Sequence, residues 1–127
     1  MNIDIFLKSV IEQDSAPVVL CDLRHTVVYM NSAAAQRYSY AGGAELIGKS
    51  LMNCHNAHSR GLIEKCIAWF EEDVMHNSVY ESYNPDENKD VYIVALRDAD
   101  GKLIGYYEKH EYRNKETDRT YGFMPEK

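Results

Sequence analysis

The sequence has few cysteines, few turn-forming residues and no long apolar segment. Its 127 residues include three cysteines, seven glycines and three prolines. Three thiols without a Cys-x-x-Cys pair indicate neither a disulfide framework nor a cysteine-rich zinc site, so we expect reduced thiols in a cytoplasmic protein. No apolar run approaches the ~20 residues of a membrane span. The first residues lack a basic segment followed by an apolar one, which argues against a secretory signal.

Positive charge is also scarce in this chain. Lysine and arginine number 14 against 20 aspartates and glutamates, which gives a formal net charge of −6. Nonspecific binding to nucleic acid and attachment to an anionic membrane both depend on a basic surface. We therefore expect no nucleic-acid partner and no membrane partner. With 45% apolar residues, a chain of this length forms a single domain with its own core.

Two segments have the apolar spacing of an amphipathic helix. Residues 2–14 repeat apolar side chains at i, i+3, i+4 and i+7, which predicts an N-terminal helix with one apolar stripe. Residues 59–74 carry the longest helical pattern, with Phe70 on its apolar face. Between them, an asparagine or serine cap followed by strong helix formers predicts a short helix over 33–37.

The remaining regular segments favour strands. The Asp-Gly end of the turn at 98–101 predicts a hairpin. Because the strands do not alternate with helices, we expect one antiparallel sheet with helices on one face, an α+β architecture. We divide the chain into an N-terminal helix (1–14), a domain (15–113) and a C-terminal tail (114–127). The predicted strands cover 17–22, 27–31, 78–84, 90–97 and 102–113.

Four short segments in this order resemble the PAS family of sensory domains. Residues 16–22, APVVLCD, are similar to the opening strand, and 27–34, VVYMNSAA, to the second strand and the helix that follows. Residues 46–51, LIGKSL, match a glycine-containing segment. Residues 98–105, DADGKLIG, match the last hairpin. The resemblance spans about residues 3–113.

The resemblance implies a five-stranded antiparallel sheet that curves around short helices and encloses a cavity. It also implies signal sensing or dimerisation as the usual role, with pairing through the N-terminal helix. We therefore predict a homodimer interface at Ile3, Phe6, Leu7 and Val10, although the same stripe can instead pack on its own sheet. The predicted lining of the ligand pocket is Cys21, Tyr29, Phe70, Tyr92, Val94 and Tyr106.

Cys54, His55 and His58 form the densest cluster of reactive side chains. Some PAS members bind haem through one histidine, and a single imidazole suffices as an axial ligand. His58 is the first haem-ligand candidate and His55 the second. The three side chains could also hold a transition metal, although no fourth ligand follows in the sequence. The simplest alternative is that the two histidines are solvated residues at the entrance of a helix.

The sequence argues against a photoactive flavin and against catalysis. Light-sensing relatives use an Asn-Cys-Arg-Phe-Leu-Gln motif, of which Asn53-Cys54 matches only the first two residues, and the last strands lack the amides that hold the flavin ring. Adjacent residues such as Cys54 and His55 rarely face each other as a nucleophile and its base. The least favoured hypothesis is therefore a small cysteine-dependent enzyme.

The sequence-based interpretation is a PAS-like sensor or signalling domain without catalytic activity. It would bind a small molecule or cofactor and respond by a change of conformation and by dimerisation, with a signalling protein as its partner. Two alternatives remain open at this point. One is a ligand-free interaction or dimerisation module, and the other is a haem-binding gas or redox sensor.

Overall fold

A computed structural model describes residues 2–125 of the chain. Three α-helices and five β-strands follow one another in the predicted order, and three short 3₁₀ turns connect α2 to α3. The helices are α1 (Ile3–Glu12), α2 (Ser32–Arg37) and α3 (Ala57–Glu72), and the turns are Ser39–Ala41, Gly43–Leu46 and Leu51–Cys54. The strands are β1 (Val19–Asp22), β2 (Val27–Met30), β3 (Ser78–Asn84), β4 (Lys89–Arg97) and β5 (Leu103–Tyr112).

The five strands form one antiparallel sheet in the order β2-β1-β5-β4-β3. This confirms the predicted α+β architecture. The hairpin between β4 and β5 closes through a hydrogen bond from the Gly101 N–H to the Asp98 carbonyl at 3.0 Å. Gly101 has a φ of +83°, a conformation that glycine adopts without steric cost.

The core lies between one face of the sheet, here called the inner face, and helices α2 and α3. Its members are small or apolar, and they include Phe70, the aromatic side chain that α3 buries completely. Asn56 begins α3 because its side-chain oxygen accepts a hydrogen bond from the Ser59 N–H at 2.9 Å. At the other end, the Arg97 guanidinium donates to the carbonyls of Phe70 and His76 at 2.6 and 3.1 Å. Arg97 thereby fixes the C-terminal end of α3 to β4 of the sheet.

β1 and β5 approach each other closely at Gly105. A methyl group added to Gly105 would lie 2.1 Å from the Cys21 carbonyl oxygen, far inside van der Waals contact. Glycine at this position therefore permits the central pair of strands to form.

Helix α1 lies outside the core. None of its residues is buried, and its last turn is tied to the sheet by Asn31. The Asn31 side-chain amide, which is completely buried, donates to the Ile11 and Ala16 carbonyls, both at 3.0 Å. Glu12 accepts a hydrogen bond from the Tyr29 hydroxyl at 2.5 Å. None of the helices in residues 2–125 is long and apolar enough to cross a membrane.

Candidate functional site

A cleft of about 600 Å³ opens between α3 and the inner face of β3, β4 and β5. We call it the main cleft. Helix α3 presents residues at helical spacing, and β4 and β5 present residues of their inner face. At the edge of the sheet, β3 contributes the four consecutive residues from Ser78 to Glu81. The α3 wall contains Ser59, Leu62, Ile63, Lys65, Cys66 and Trp69, and the sheet wall contains Ser78, Val79, Tyr80, Glu81, Ile93, Tyr106 and Glu108.

A smaller cavity of about 160 Å³ adjoins the main cleft on the side of β1 and β2. We call it the side cavity. Val19, Cys21, Val27 and Met30 line it from these two strands. It shares four wall residues with the main cleft, so the two spaces are neighbours separated by single side chains. The shared residues are Leu51, His55, Tyr106 and Glu108.

Tyr106 supplies a hydroxyl at the junction of the two spaces. Its oxygen lies 2.7 Å from His25 Nδ1, and His25 comes from the β1–β2 turn, where it has a positive φ of 66°. Burial raises the pKa of Tyr106 and raises the pKa of Cys21 to about 12. Both groups therefore remain neutral near pH 7 and can act only as hydrogen-bonding groups.

Glu81 and Glu108 bring two carboxyl groups to the sheet wall of the main cleft. Glu81 lies in β3 where the pairing with β4 shifts between Tyr80 and Ser82, and such a bulge re-aims side chains. Burial and a hydrogen bond between the two carboxyl groups raise the pKa of Glu108 to about 8. The protonated form of Glu108 therefore predominates at neutral pH.

Comparison with solved structures identifies this architecture. The PAS domain of a protein from Colwellia psychrerythraea matches with a TM-score of 0.63 and 13% identity, over 87% of this chain and 97% of that one. The chain has the PAS fold. No family model and no curated protein matches the sequence, so the fold is recognised from the structure rather than from sequence similarity.

Two further PAS-fold structures belong to receptors with stated ligands or activities. A dual PAS-heme oxygen sensor from Vibrio cholerae is 18% identical, with a TM-score of 0.52, over 74% of this chain and 90% of that one. An RNA-binding Light-Oxygen-Voltage receptor is 19% identical, with a TM-score of 0.61, over 87% of this chain. The present chain spans 32% of the length of that receptor.

Within this PAS fold, two of the six predicted pocket residues line a cavity next to the helices. Cys21 lines the side cavity, and Tyr106 lines both spaces. Phe70 instead belongs to the packed core. Tyr29 donates its hydroxyl to Glu12 of the N-terminal helix and is not among the lining residues.

Tyr92 and Val94 lie on the opposite, outer face of the sheet, in a separate groove with Tyr107 and Lys109. The β4–β5 register explains this correction to the predicted pocket. Val94 pairs with Tyr107, one residue away from Tyr106. Because successive residues of a strand point to opposite faces, Val94 and Tyr106 cannot line the same cavity.

Cys54, His55 and His58 do not share one environment. His55 is half-buried and lines both spaces, and Cys54 lines the side cavity with its residue exposed. His58 is exposed on the first turn of α3 and lines neither. No group of three metal-ligating side chains that could hold a metal ion occurs in residues 2–125. Of these three residues, His55 is the one that lines the main cleft.

The predicted dimer residues are all on the surface of the described chain. Ile3, Phe6, Leu7 and Val10 are 59%, 55%, 55% and 71% exposed. The alternative in which this stripe packs on its own sheet therefore receives no support from these contacts. The apolar side of α1 is open to solvent in the single chain.

Sequence reasoning missed the two glutamates of the main cleft. Charged residues in a polar stretch such as 78–84 are usually solvated, and the β3 bulge that brings Glu81 to the cleft has no clear sequence signal. The position of Glu108 could have been predicted, because it follows Tyr106 by two residues. Placing Tyr106 in the pocket implies that Glu108 shares its face.

Proposed function

We propose that this chain is a small-molecule-binding sensor domain that acts without catalytic activity of its own. The observation that carries the proposal is the main cleft. Ligand sites are typically concave spaces of about 300–1,000 Å³ with apolar walls and a few convergent polar groups. A space of about 600 Å³ with Tyr106, Glu81 and Glu108 on one wall has this character.

The contacts around Tyr106 support a route from the cleft to helix α1. Tyr106 pairs with Cys21 of β1, and the Val18 N–H just before β1 donates to the Asn31 side chain at 3.0 Å. Asn31 in turn donates to the Ile11 carbonyl of α1. A ligand that moves Tyr106 would therefore act on the helix through two strands and one buried amide. It can shift the helix only by its difference in affinity for the two arrangements.

The exposed stripe on α1 supports homodimerisation as the output. Four apolar residues on one helix face are more than half exposed each, and contiguous apolar patches of this kind mark interaction sites. We propose that α1 pairs with α1 of a second copy in the cytoplasm and that a signalling protein reads the dimer.

The absence of catalysis remains part of the proposal. A nucleophilic cysteine needs a base within hydrogen-bond reach. Among residues 2–125, no hydrogen bond joins Cys54 to His55. Loss of a specific turnover in Cys54→Ala would contradict this part of the account, and an unchanged ligand profile in that variant would agree with it.

The proposal is tested by identifying what the protein carries when purified from its host cells. Small molecules are extracted from wild-type protein and from Cys66→Phe, in which a larger side chain on α3 fills the main cleft. Glu64→Gln, on the exposed side of the same helix, is the matched control. A compound that is retained by wild type and by Glu64→Gln but lost from Cys66→Phe supports the proposal. No retained compound in any variant would favour a ligand-free interaction module.

A haem-based sensor is the second candidate, and the position of His55 favours it. His55 lines the main cleft, and one imidazole can bind haem iron. The visible spectrum of the purified protein is recorded before and after addition of haemin, with His55→Ala and His58→Ala alongside. A Soret band that is lost in His55→Ala alone would support haem binding. A spectrum that haemin leaves unchanged would exclude it.

A further inference from the structure

Two carboxyl groups lie on one wall of a largely apolar cleft. Glu108 projects from β5 on the same face as Tyr106, and Glu81 projects from the β3 bulge. Ile93 of β4 lies between these strands and pairs directly with Glu108. The carboxyl groups thus converge across a central strand, opposite the apolar side chains that α3 presents.

The cations of the neighbouring strands have other partners. Lys89 is buried and pairs with Glu87 at 3.0 Å, and Lys109 pairs with Glu111 at 2.6 Å. Within residues 2–125, neither Glu81 nor Glu108 forms an ion pair. Lys65 is the cation in the lining of the main cleft, and it is exposed on α3.

A carboxyl pair in these surroundings has an unbalanced charge. Glu108 is half-buried and Glu81 is exposed, and a carboxylate that is partly removed from water carries a desolvation cost unless it is paired. A cation placed between the carboxyl groups would remove this cost and would convert a repulsive pair into a pair of charge-assisted hydrogen bonds. A protonated nitrogen offers up to three donors and matches the acceptor-only carboxylate.

We propose that the ligand of the main cleft is an organic cation, a protonated amine or amidine on an apolar body, whose nitrogen binds between Glu81 and Glu108. The apolar body lies against Leu62, Ile63 and Trp69 of α3. This inference rests on the proposed function, since it names the ligand class of the same cleft. A bare metal ion is a poorer occupant, because no group of three metal-ligating side chains is present in the described chain.

The test compares matched amines and alcohols on labelled protein. Amide resonances of the full chain are followed during titration with 2-phenylethylamine and 4-phenylbutylamine, and with the corresponding alcohols. Each amine has the same apolar body as its corresponding alcohol and differs from it in charge. We expect the amines to bind wild-type protein at least about tenfold more tightly, since charge-assisted hydrogen bonds are roughly twice as strong as neutral ones.

Glutamine variants then assign the preference to the two carboxyl groups. Glu81→Gln and Glu108→Gln keep the side-chain shape and remove the charge, so the amine preference should fall to within about threefold in each. Glu64→Gln on the exposed side of α3 should keep it. The wild-type comparison stands even where a glutamine variant fails to fold.

The outcomes separate this inference from the proposed function. If the alcohols bind as tightly as the amines, the ligand is not selected by its positive charge and this inference is wrong. The proposal that the main cleft binds a small molecule would remain. An amine preference that survives both glutamine variants would also overturn this inference. If neither series binds at millimolar concentration, the inference fails, whereas a compound that is retained by wild type and lost from Cys66→Phe would still support the ligand-binding function.

Discussion

The side-chain amide of Asn31 donates a hydrogen bond to the backbone carbonyl of Ile11 at 3.0 Å. This contact joins the residue after β2 to the last turn of α1. The same side chain caps α2, because its oxygen accepts from the Ala34 N–H at 2.9 Å. Asn31 is completely buried, and together with the Tyr29–Glu12 hydrogen bond it holds the last turn of α1 to the sheet.

Replacement of Asn31 should therefore be costly. Asn31→Ala removes the acceptor of the Val18 and Ala34 N–H groups and a donor to three backbone carbonyls, and each buried group left unsatisfied costs about 1–3 kcal/mol. We expect a loss of about 3 kcal/mol in the free energy of unfolding, measured by urea denaturation. Asn56→Ala, which removes an exposed cap of α3, should cost about 1 kcal/mol. Equal losses in both variants would contradict the proposed role of Asn31.

Two glycine-to-alanine substitutions should have opposite effects. Gly105→Ala places a methyl group against the Cys21 carbonyl, so β1 and β5 must separate and stability should fall by more than about 2 kcal/mol. Gly61→Ala meets open space in α3 and should gain about 0.5–1 kcal/mol from its better helix propensity. Thermal unfolding of the two variants measures both effects. A stable Gly105→Ala protein would show that the two strands are less closely paired than described.

The raised pKa of Glu108 makes stability depend on pH. The carboxyl group keeps its proton in the folded protein up to about pH 8, whereas the unfolded chain releases it near pH 4.5. The folded state thus binds more protons between these values, and the free energy of unfolding falls as pH rises through this window. Because one unit of pKa corresponds to about 1.4 kcal/mol, we expect a loss of at least about 1 kcal/mol between pH 5 and pH 8.5.

Glu108→Gln tests the source of this slope, because glutamine cannot ionise. The variant should lose less stability than wild type over the same interval, and it should be the more stable protein at pH 8.5. Denaturation curves at both pH values provide the measurement, with Glu64→Gln as the control that keeps the wild-type slope. An identical slope in Glu108→Gln would mean that another group titrates.

Charge on the apolar stripe of α1 should abolish dimerisation. Phe6→Glu and Val10→Glu each place a carboxylate among exposed apolar residues, and we expect monomers in light scattering at concentrations where wild type forms dimers. Ser9→Glu adds the same charge to the same helix outside the stripe and should leave the dimer intact. Dissociation by Ser9→Glu as well would point to loss of the helix itself. If wild-type protein is a monomer in the same measurement, the proposed pairing of α1 with α1 is wrong.

The periodicity of apolar residues predicts the type of each helix or strand and which of its faces is buried. It does not predict which other element packs against that face. The pattern predicts a helix over residues 59–74, and α3 covers Ala57–Glu72. The Asn56 cap makes Ala57 the first helical residue, two residues before the predicted start. The last strand was predicted over 102–113 and covers Leu103–Tyr112. Such long patterns give the type of element, whereas capping groups decide its ends.

The site was harder to predict because it depends on strand register. Tyr106 and Val94 are both plausible pocket residues in isolation, yet one unit of register decides that only Tyr106 faces α3. Glu81 reaches the cleft through a bulge, and His55 reaches it from a 3₁₀ turn whose path the sequence does not specify. The charged residues of this site could therefore not be predicted from the sequence, because irregular backbone segments place them.

The central claim is that the main cleft binds a small molecule. The most direct measurement is native mass spectrometry of the intact protein purified from its host cells, compared with the same sample after denaturation. The account predicts a mass excess in the native spectrum that disappears on denaturation and is absent from Cys66→Phe. Equal native and denatured masses in wild-type protein, together with no shift on addition of a host-cell metabolite extract, would contradict it.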